Sequence, residues 1–375
     1  MATDSRFHLP ELDIVRLIAF VTVYLHHFRA FYAQKPGWGK EAEYACGAGM
    51  QLFFLLSSYL ITELLLRELE KTRTVHVRAF FARRILRIWP LYFVFLGACF
   101  ALSKTTKLTV LTTPQLLALI FFWGNWWVVQ YGFLTTFASP LWSISLEEQY
   151  YIIWPFIAGT GKRGILAVCL CLLVLSNGTL WYLGTHNTPR PSVWCNSFVE
   201  FQFFAIGGIL ALALHRRKFA MYGWFRPILF VCAAAIVFFA QVRFRIAANA
   251  ILGPRDLIPG YAFFGVGVVL IFLSFYGAKL PRGSAPFIYL GRISYGLYVF
   301  HELAIVIAVA FGAQFHWPIA VKVAAALALC VGLAAFSYRY LETPFLRLKS
   351  RFTFILSQPS QTPASPPFAP RIDKC

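Results

Sequence analysis

Long apolar stretches recur along almost the whole chain, with only short polar connections between them. A helix needs about 20 apolar residues to cross the hydrocarbon core of a bilayer, and many of these stretches approach that length. Charged residues make up 13% of the sequence, whereas soluble domains carry about 25%. Because a backbone in lipid must satisfy its own hydrogen bonds, the stretches are predicted to be helices. The sequence therefore predicts an all-α integral membrane protein.

Ten stretches are predicted to span the membrane. They cover residues 12–33, 49–66, 85–103, 145–160, 164–184, 199–215, 226–242, 259–277, 288–312 and 318–340. A further apolar stretch lies at about 115–131, and whether it crosses is the main ambiguity in the topology.

The distribution of Lys and Arg decides between the two topologies, because cytoplasmic loops carry an excess of both. With the N-terminus inside, the seven basic residues between Arg67 and Arg87 are cytoplasmic. Lys162 and Arg216 also fall inside if 115–131 does not cross, and outside if it does. We therefore predict a bundle of about ten transmembrane helices with one re-entrant or interfacial segment, in the cell (inner) membrane, with both termini cytoplasmic.

Composition divides the chain into two parts. Residues 1–352 are predicted to form one membrane domain, because the loops are short. Residues 353–375 are rich in Gln, Pro, Ser and Ala, a composition that cannot bury enough apolar surface to fold. They are predicted to be a disordered cytoplasmic tail.

The formal net charge of +19 raises the question of a nucleic-acid partner. The basic residues, however, stand in short runs between apolar stretches, such as Arg83-Arg84. That pattern is typical of membrane-protein loops facing anionic lipid. The lipid bilayer is thus the predicted partner and nucleic acid is not, although basic loops also suit the phosphates of an anionic cofactor.

The first span carries the ionisable residues Arg16 and His27. An ionisable group inside a span is costly and is a functional candidate for that reason. Eleven helical steps are close to three turns, so the two residues share a face about 16 Å apart along the axis. His27 could act as a general base or carry an acyl group. The alternative is a structural histidine, with Arg16 reaching the headgroups. His26 points about 100° away and is the weaker candidate.

Two further arginines enter the third span. Arg84 and Arg87 are three residues apart and share a helix face. Their guanidinium groups suit phosphates, although ordinary anchoring by basic residues explains them about as well.

The segment PLWSISLEEQYYIIWPF (140–156) places Glu147 and Glu148 at the predicted outer mouth of a span. These carboxylates could bind sugar hydroxyls, orient a histidine or transfer a proton. The alternative is a surface cap favoured by the helix dipole. Trp142 could stack on a sugar ring or belong to the interfacial aromatic belt.

Ser294, Tyr298 and His301 follow one another at positions i, i+4 and i+7 and form a polar stripe on an apolar helix. Such a stripe faces the bundle interior or a cavity. His301-Glu302 does not form a HExxH zinc motif, because Ile305 stands where the second histidine would be. No metal is predicted.

Several segments together resemble the acyltransferase-3 family of integral membrane acyltransferases. These segments, in chain order, are ELDIVRLIAFVTVYLHHF (11–28), QLFFLLSSYLITELL (51–65), ARRILRIWPLY (82–92), LWSISLEEQYYIIWP (141–155), GRISYGLYVFHELA (291–304) and YRYLETPFLR (338–347). Each motif alone is weak, but their joint order is specific and covers Leu12 to about Lys349. Ser58 departs from the pattern, because the family usually has Gly there.

The resemblance implies a function and a set of roles. Residues 1–352 would be an acyltransferase domain in which His27 is the key catalytic group, assisted by Arg16. Arg84 and Arg87 would bind acyl-CoA, and Glu148 would be a third catalytic residue, on the acceptor side. No cofactor is expected to stay bound, because acyl-CoA, most simply acetyl-CoA, is a co-substrate.

The predicted enzyme is an O-acyltransferase that transfers groups other than amino-acyl groups. It would move an acyl group from cytoplasmic acyl-CoA to a hydroxyl of an exopolysaccharide, lipopolysaccharide or other glycan. Glu147, Trp142, Tyr298 and His301 are the predicted acceptor-binding residues. The alternative is a transporter or flippase of a lipid-linked saccharide that uses the same polar cavity, and a non-enzymatic membrane scaffold ranks third.

Overall fold

The computed structural model describes residues 8–28, 46–106, 109–217, 220–246 and 251–353. The predicted tail lies outside these ranges beyond Thr353, and so does the first predicted span beyond Phe28. The described chain is helical. Its first seven helices are α1 (Pro10–His27), α2 (Gly49–Thr72), α3 (Val77–Thr105), α4 (Thr113–Ile120), α5 (Gly124–Tyr131), α6 (Trp142–Gly159) and α7 (Gly161–Thr185).

The second half of the described chain continues in the same way. Its helices are α8 (Arg190–Trp194), α9 (Ser197–Leu214), α10 (Phe225–Phe244), α11 (Pro254–Phe275), α12 (Ala285–Arg292), α13 (Ser294–Gln314), α14 (Ile319–Ser337) and α15 (Thr343–Lys349). A five-residue π-helical turn, Tyr338–Glu342, joins α14 to α15. The span predicted at 288–312 is thus two helices, α12 and α13, which meet at Ile293.

Eight helical segments in the described ranges are long and apolar enough to cross a membrane. They are α2, α3, α7, α9, α10, α11, α13 and the segment Ile319–Lys349. Helices α1 and α6, predicted as spans, have 18 residues each, but their hydropathy is lowered by acidic and basic residues in α1 and by two glutamates in α6. The exact count of ten spans stays a prediction.

The ambiguous stretch 115–131 forms two helices, α4 and α5, of eight residues each. At 1.5 Å per residue each is about 12 Å long, far shorter than the hydrocarbon core of about 30 Å. A turn at Phe121–Trp123 separates them. Whether this pair re-enters the membrane or lies at its surface stays a prediction.

Three of the basic loops meet at one end of the bundle. Glu70, near the end of α2, accepts a bond of 2.8 Å from Arg216 Nε, and Lys162 Nζ lies 3.5 Å away from its other oxygen. His215 Nε2 also bonds that carboxylate at 2.7 Å. The chain therefore leaves this end through α3 and returns to it through α6. An even number of crossings between Glu70 and Lys162 follows from this arrangement. This geometry agrees with the loop-charge argument for the topology.

The contacts of Ser58 show what a serine does at a position where the family usually has Gly. It is fully buried on α2, where its hydroxyl donates to Phe204 O at 2.6 Å and shares a bond of 2.8 Å with the Tyr150 hydroxyl. Helices α2 and α9 approach closely here because the glycine is on α9: a Cβ on Gly207 would lie 2.9 Å from Ser58 Cβ. One hydroxyl thus ties α2, α6 and α9 together.

Helix α1 lies inside the bundle and packs against α2, α11, α12 and α13. Its residues Leu12, Val15 and Ala19 are at most 1% exposed. This central position brings Arg16 and His27 next to internal cavities.

Candidate active site

Two adjoining cavities lie along α1. The first, named here the arginine cavity, has a volume of about 180 Å³. Its charged lining residues are Asp13, Arg16, Arg84, Arg87, Glu147, Arg292 and Lys349. Five cations thus face two carboxylates. Its apolar lining includes Leu12, Phe53, Leu60, Ile61 and Leu64. A cavity of this kind suits a ligand with an anionic end and an apolar or neutral arm.

Arg16 is held at the wall of the arginine cavity by an ion pair within α1. Its Nη1 donates to Asp13 Oδ1 at 2.9 Å, and His8 Nε2 lies 3.1 Å from Asp13 Oδ2. The i, i+3 spacing of Asp13 and Arg16 brings the two side chains together on one face. Asp13 therefore fixes Arg16 and offsets part of its charge.

Arg84 and Arg87 line the arginine cavity together, in keeping with their shared face on α3. The guanidinium of Arg84 lies over the rings of Phe80 and Tyr151, 5.7 and 5.4 Å from their centroids. Among the described residues, the buried Nε atoms of Arg84 and Arg292 have no hydrogen-bond partner. These donors are available to an anionic ligand.

The neighbouring Arg83 has a different environment. Its Nη2 donates to Glu68 Oε2 and its Nη1 to Phe352 O, both at 2.7 Å. These bonds tie α3 to the end of α2 and to the last described residues. Arg83 therefore has a structural role in this fold, and it does not line either cavity.

The two glutamates of α6 do not lie where the sequence suggested. Glu147 lines the arginine cavity, where it accepts from the Tyr151 hydroxyl at 2.7 Å. Glu148 lines neither cavity; it is buried and accepts from Trp89 Nε1 at 3.3 Å. The reason is that α6 begins at Trp142, so both residues lie more than a turn inside the helix instead of at its mouth. Neighbouring residues on a helix also point about 100° apart.

The second cavity, named here the histidine cavity, has a volume of about 320 Å³. Its lining includes His26, His27, Phe133, Pro140, Trp142, Trp194 and Glu302. Trp142 thus lines the same cavity as His27, and its predicted role in binding a sugar ring stays a prediction. His26 lines the same cavity, although the helical spacing predicted that it would point elsewhere.

His27 and His301 face each other with their ring orientations fixed. His27 Nδ1 bonds Val23 O at 2.9 Å, and His301 Nδ1 bonds Tyr298 O at 2.5 Å. A carbonyl only accepts, so Nδ1 of each ring is the donor, and in the neutral tautomer that this bond selects Nε2 is the acceptor. The ring centroids are 4.8 Å apart. Both imidazoles are therefore held as hydrogen-bond acceptors.

Glu302 completes a group of three acceptors. One ligand atom from each of His27, His301 and Glu302 lies within 4.8 Å of the others. His301 Nε2 and Glu302 Oε2 are buried without a partner among the described residues. The set could hold a metal ion, which the sequence did not predict, or it could accept hydrogen bonds from the hydroxyls of a polyol.

Arg16 and His27 were expected to act at one site, but they line different cavities. The two cavities share only Met50 and Tyr298 among their described lining residues. The axial distance of about 16 Å between Arg16 and His27 explains the separation, since three helical turns exceed the reach of both side chains.

The structure adds residues that the sequence analysis had not selected. They are Met50, Arg292, Glu302 and Lys349. Arg292 stands two residues before Ser294, the first residue of the polar stripe, and this proximity was the one signal that could have identified it.

Comparison with known proteins agrees with this architecture. A family model described as an acyltransferase domain matches residues 9–339. The chain is 25% identical to the O-acetyltransferase OatA of Staphylococcus aureus (strain MRSA252) over 94% of its own length and 60% of the relative. It is 27% identical to YrhL of Bacillus subtilis (strain 168), provisionally named a peptidoglycan O-acetyltransferase, over 94% of its length and 58% of that relative.

The chain therefore spans less than two thirds of the length of these relatives. No solved structure matches it significantly. The family match covers every described lining residue of the two cavities except His8 and Lys349. On this evidence, the chain belongs to the acyltransferase-3 family.

Proposed function

We propose that the protein is a membrane-embedded O-acyltransferase that moves an acyl group, most simply acetyl, from cytoplasmic acyl-CoA to a hydroxyl of a cell-envelope glycan. The observation that carries this proposal is the pair of adjoining cavities, one rich in cations and one rich in hydrogen-bond acceptors. The names of the relatives favour acetyl as the acyl group, and that of YrhL favours peptidoglycan among the possible acceptors.

The arginine cavity is the proposed donor site. Arg84, Arg87 and Arg292 would bind the phosphates of acyl-CoA, because guanidinium groups form strong charge-assisted bonds with phosphate oxygens. The apolar lining would hold the pantetheine arm. Arg16 and His27 are about 16 Å apart along α1, a distance that an extended arm can cover. The thioester would then reach the boundary between the cavities.

The histidine cavity is the proposed acceptor site. The glycan hydroxyl would donate to His27 Nε2, while Trp142 and Trp194 offer faces on which a sugar ring can pack. The hydroxyl proton passes to His27 as the oxygen bonds to the acyl carbon. The carbon–sulfur bond then breaks, and the proton moves to the CoA thiolate. The products are an ester and free CoA.

Orientation in the membrane follows from the loop charges. The arginine cavity lies at the N-terminal end of α1, and Arg83, at this end, bonds Phe352 near the end of the described chain. We assign this end to the cytoplasm by the positive-inside rule. A reporter fused after Lys162 should read cytoplasmic, and an external reading would overturn the assignment.

The function itself is tested with purified full-length protein. Acetyl-CoA and a peptidoglycan or polysaccharide acceptor are added, and both free thiol and acetylated glycan are measured by mass spectrometry. We expect acceptor-dependent thiol release that His27→Ala abolishes. Movement of a lipid-linked saccharide across vesicles without thiol release would favour the transporter alternative instead.

A further inference from the structure

We propose that Met50 and Tyr298 form the aperture through which the acyl group passes, and that this aperture restricts the donor to short, uncharged acyl groups. The inference rests on the proposed function. These two residues are the only described ones that line both cavities. An acyl group bound through its CoA in the arginine cavity must pass them to approach His27.

Met50 is held beside α1 by its neighbour. A Cβ on Gly49 would overlap Ala19 O and lie 2.6 Å from Val23 Cγ2, so the start of α2 lies directly against α1. Val23 O is also the acceptor of the His27 Nδ1 proton. Met50 is thus fixed within about one turn of the helix position that orients His27. Its backbone is held, whereas its unbranched thioether side chain remains adaptable.

Tyr298 is the rigid side of the aperture. Its hydroxyl donates to Pro140 O at 2.6 Å and lies 2.8 Å from Ser143 Oγ. Its ring contacts the rings of Phe53 and His301, with centroids 6.1 and 5.4 Å away. A side chain fixed at both ring and hydroxyl cannot yield to a larger acyl group, so Met50 is the side that adapts.

Size selection follows from this arrangement. Apolar pockets discriminate one methylene by about 10–200-fold in kcat/KM. A larger acyl group would have to displace the thioether against a fixed ring, and overpacking a tight apolar site is unfavourable. We therefore expect the rate to fall steeply from acetyl to propionyl and butyryl donors.

Charge selection has a separate cause. A carboxylate-bearing acyl group, such as succinyl, would be attracted by Arg84, Arg87 and Arg292 in the arginine cavity. The aperture has no donor to replace these partners, because the Tyr298 hydroxyl proton is already bonded to Pro140 O. Moving an unpaired carboxylate past it is costly. A succinyl donor should bind and fail to transfer.

The test is a series of acetyl-, propionyl-, butyryl-, hexanoyl- and succinyl-CoA assayed with the full-length protein and three variants. Met50→Ala removes the adaptable side of the aperture. Leu60→Ala enlarges only the arginine cavity, and Phe133→Ala enlarges only the histidine cavity. The readout is the ratio of kcat/KM for butyryl-CoA to that for acetyl-CoA, which does not depend on how much protein is active.

We expect Met50→Ala to raise this ratio by about 10-fold or more, and the two control variants to leave it unchanged whatever they do to the rates. An unchanged ratio in Met50→Ala, an equal rise in a control, or wild-type transfer of hexanoyl and acetyl at similar rates would overturn the aperture and leave the proposed function standing. Absence of thiol release from every donor would overturn both. If Met50→Ala is unstable, Met50→Val provides a smaller enlargement for the same comparison.

Discussion

The arginine cavity and the histidine cavity lie on the same helix, three turns apart, yet their chemistry is opposite. In the first, buried Nε atoms of Arg84 and Arg292 are donors without partners among the described residues. At the second, Glu302 Oε2 of the lining and Nε2 of His301, which contacts His27 from outside the lining, are buried acceptors without partners among the described residues. A cavity of unused donors suits an anion, and a cavity of unused acceptors suits hydroxyls. On the proposed function, this difference would sort the two substrates by hydrogen-bond polarity before they meet.

The contacts of Arg16 and His27 also differ from the roles expected of them on α1. Arg16 was expected to assist His27, but its ion pair with Asp13 belongs to the arginine cavity. His27 instead faces His301 and Glu302. We therefore regard Arg16 as a donor-site residue, and the following predictions test whether the two cavities can be impaired independently.

The largest effect is expected at His27. His27→Ala should lower kcat by about 10²–10⁴-fold, because it removes the proposed general base. His27→Gln should not restore activity, because an amide does not take up a proton near neutral pH. The measurement is acyl transfer in matched membranes. Since donor binding lies in the other cavity, the Kd for acetyl-CoA should stay close to that of the wild type.

His26→Ala is the matched control, because His26 lines the same cavity one residue away. It should retain substantial transfer. Loss of activity confined to His26→Ala, or robust turnover by His27→Gln, would contradict the assignment of the base.

The second effect concerns donor binding. Arg84→Ala and Arg87→Ala should each weaken acyl-CoA binding by about 10–150-fold, the equivalent of a lost charge-assisted bond of roughly 1.5–3 kcal/mol. Lys at either position should rescue poorly, because it lacks the planar fork. The measurement is the KM for donor and for acceptor in the same assay.

Arg83→Ala provides the control on the same helix. Because Arg83 is bonded to Glu68 and Phe352, its loss should lower stability without a selective change in donor KM. If Arg84→Ala raises the KM of both substrates equally, the two cavities do not bind donor and acceptor independently, and the contrast drawn between them is contradicted.

The third effect concerns stability alone. Ser58→Ala should reduce the free energy of unfolding by about 1–3 kcal/mol, because the hydroxyl bonded to Phe204 O and to Tyr150 is lost in a buried site. Neither substrate's KM should change, since Ser58 lines neither cavity. Thermal unfolding in detergent measures the loss. In a double-mutant cycle with Tyr150→Phe, additive losses would show that the shared bond contributes nothing.

The smallest expected effect is that of metal removal. The His27, His301 and Glu302 group could hold a cation, but the proposed chemistry needs His27 Nε2 unoccupied. Treatment with a chelator, followed by removal of the chelator, should leave transfer unchanged. Loss of activity that zinc restores would identify a metal-dependent site and replace the general-base mechanism.

Much of the fold could be predicted from hydropathy and loop charge, because lipid permits few alternatives to helices. The prediction that Arg84 and Arg87 share a helix face is confirmed, since i, i+3 spacing depends only on helix geometry. The stripe of Ser294, Tyr298 and His301 is buried, as its spacing predicted.

Other features depend on tertiary contacts that spacing cannot reveal. The prediction that Glu147 lies at the outer mouth of a span was wrong, because the position depends on where α6 begins. Arg16 and His27 line two cavities whose boundary is formed by Met50 and Tyr298. These two boundary residues come from helices far apart in sequence. Met50 carries no chemical signature, so only the packing of α2 on α1 could identify it.

The narrow contact between the two cavities has a consequence for the energetics of the cell. If the cavities open on opposite faces of the membrane, they form a nearly continuous aqueous path whose seal is a single thioether and a single phenol ring. Each elementary charge that leaks through it dissipates about 2.3 kcal/mol per 100 mV of membrane potential. A wider aperture would accept more donors, but it would also drain the ion gradients that the cell maintains. In the proposed arrangement, the same two side chains would set both donor selectivity and electrical tightness.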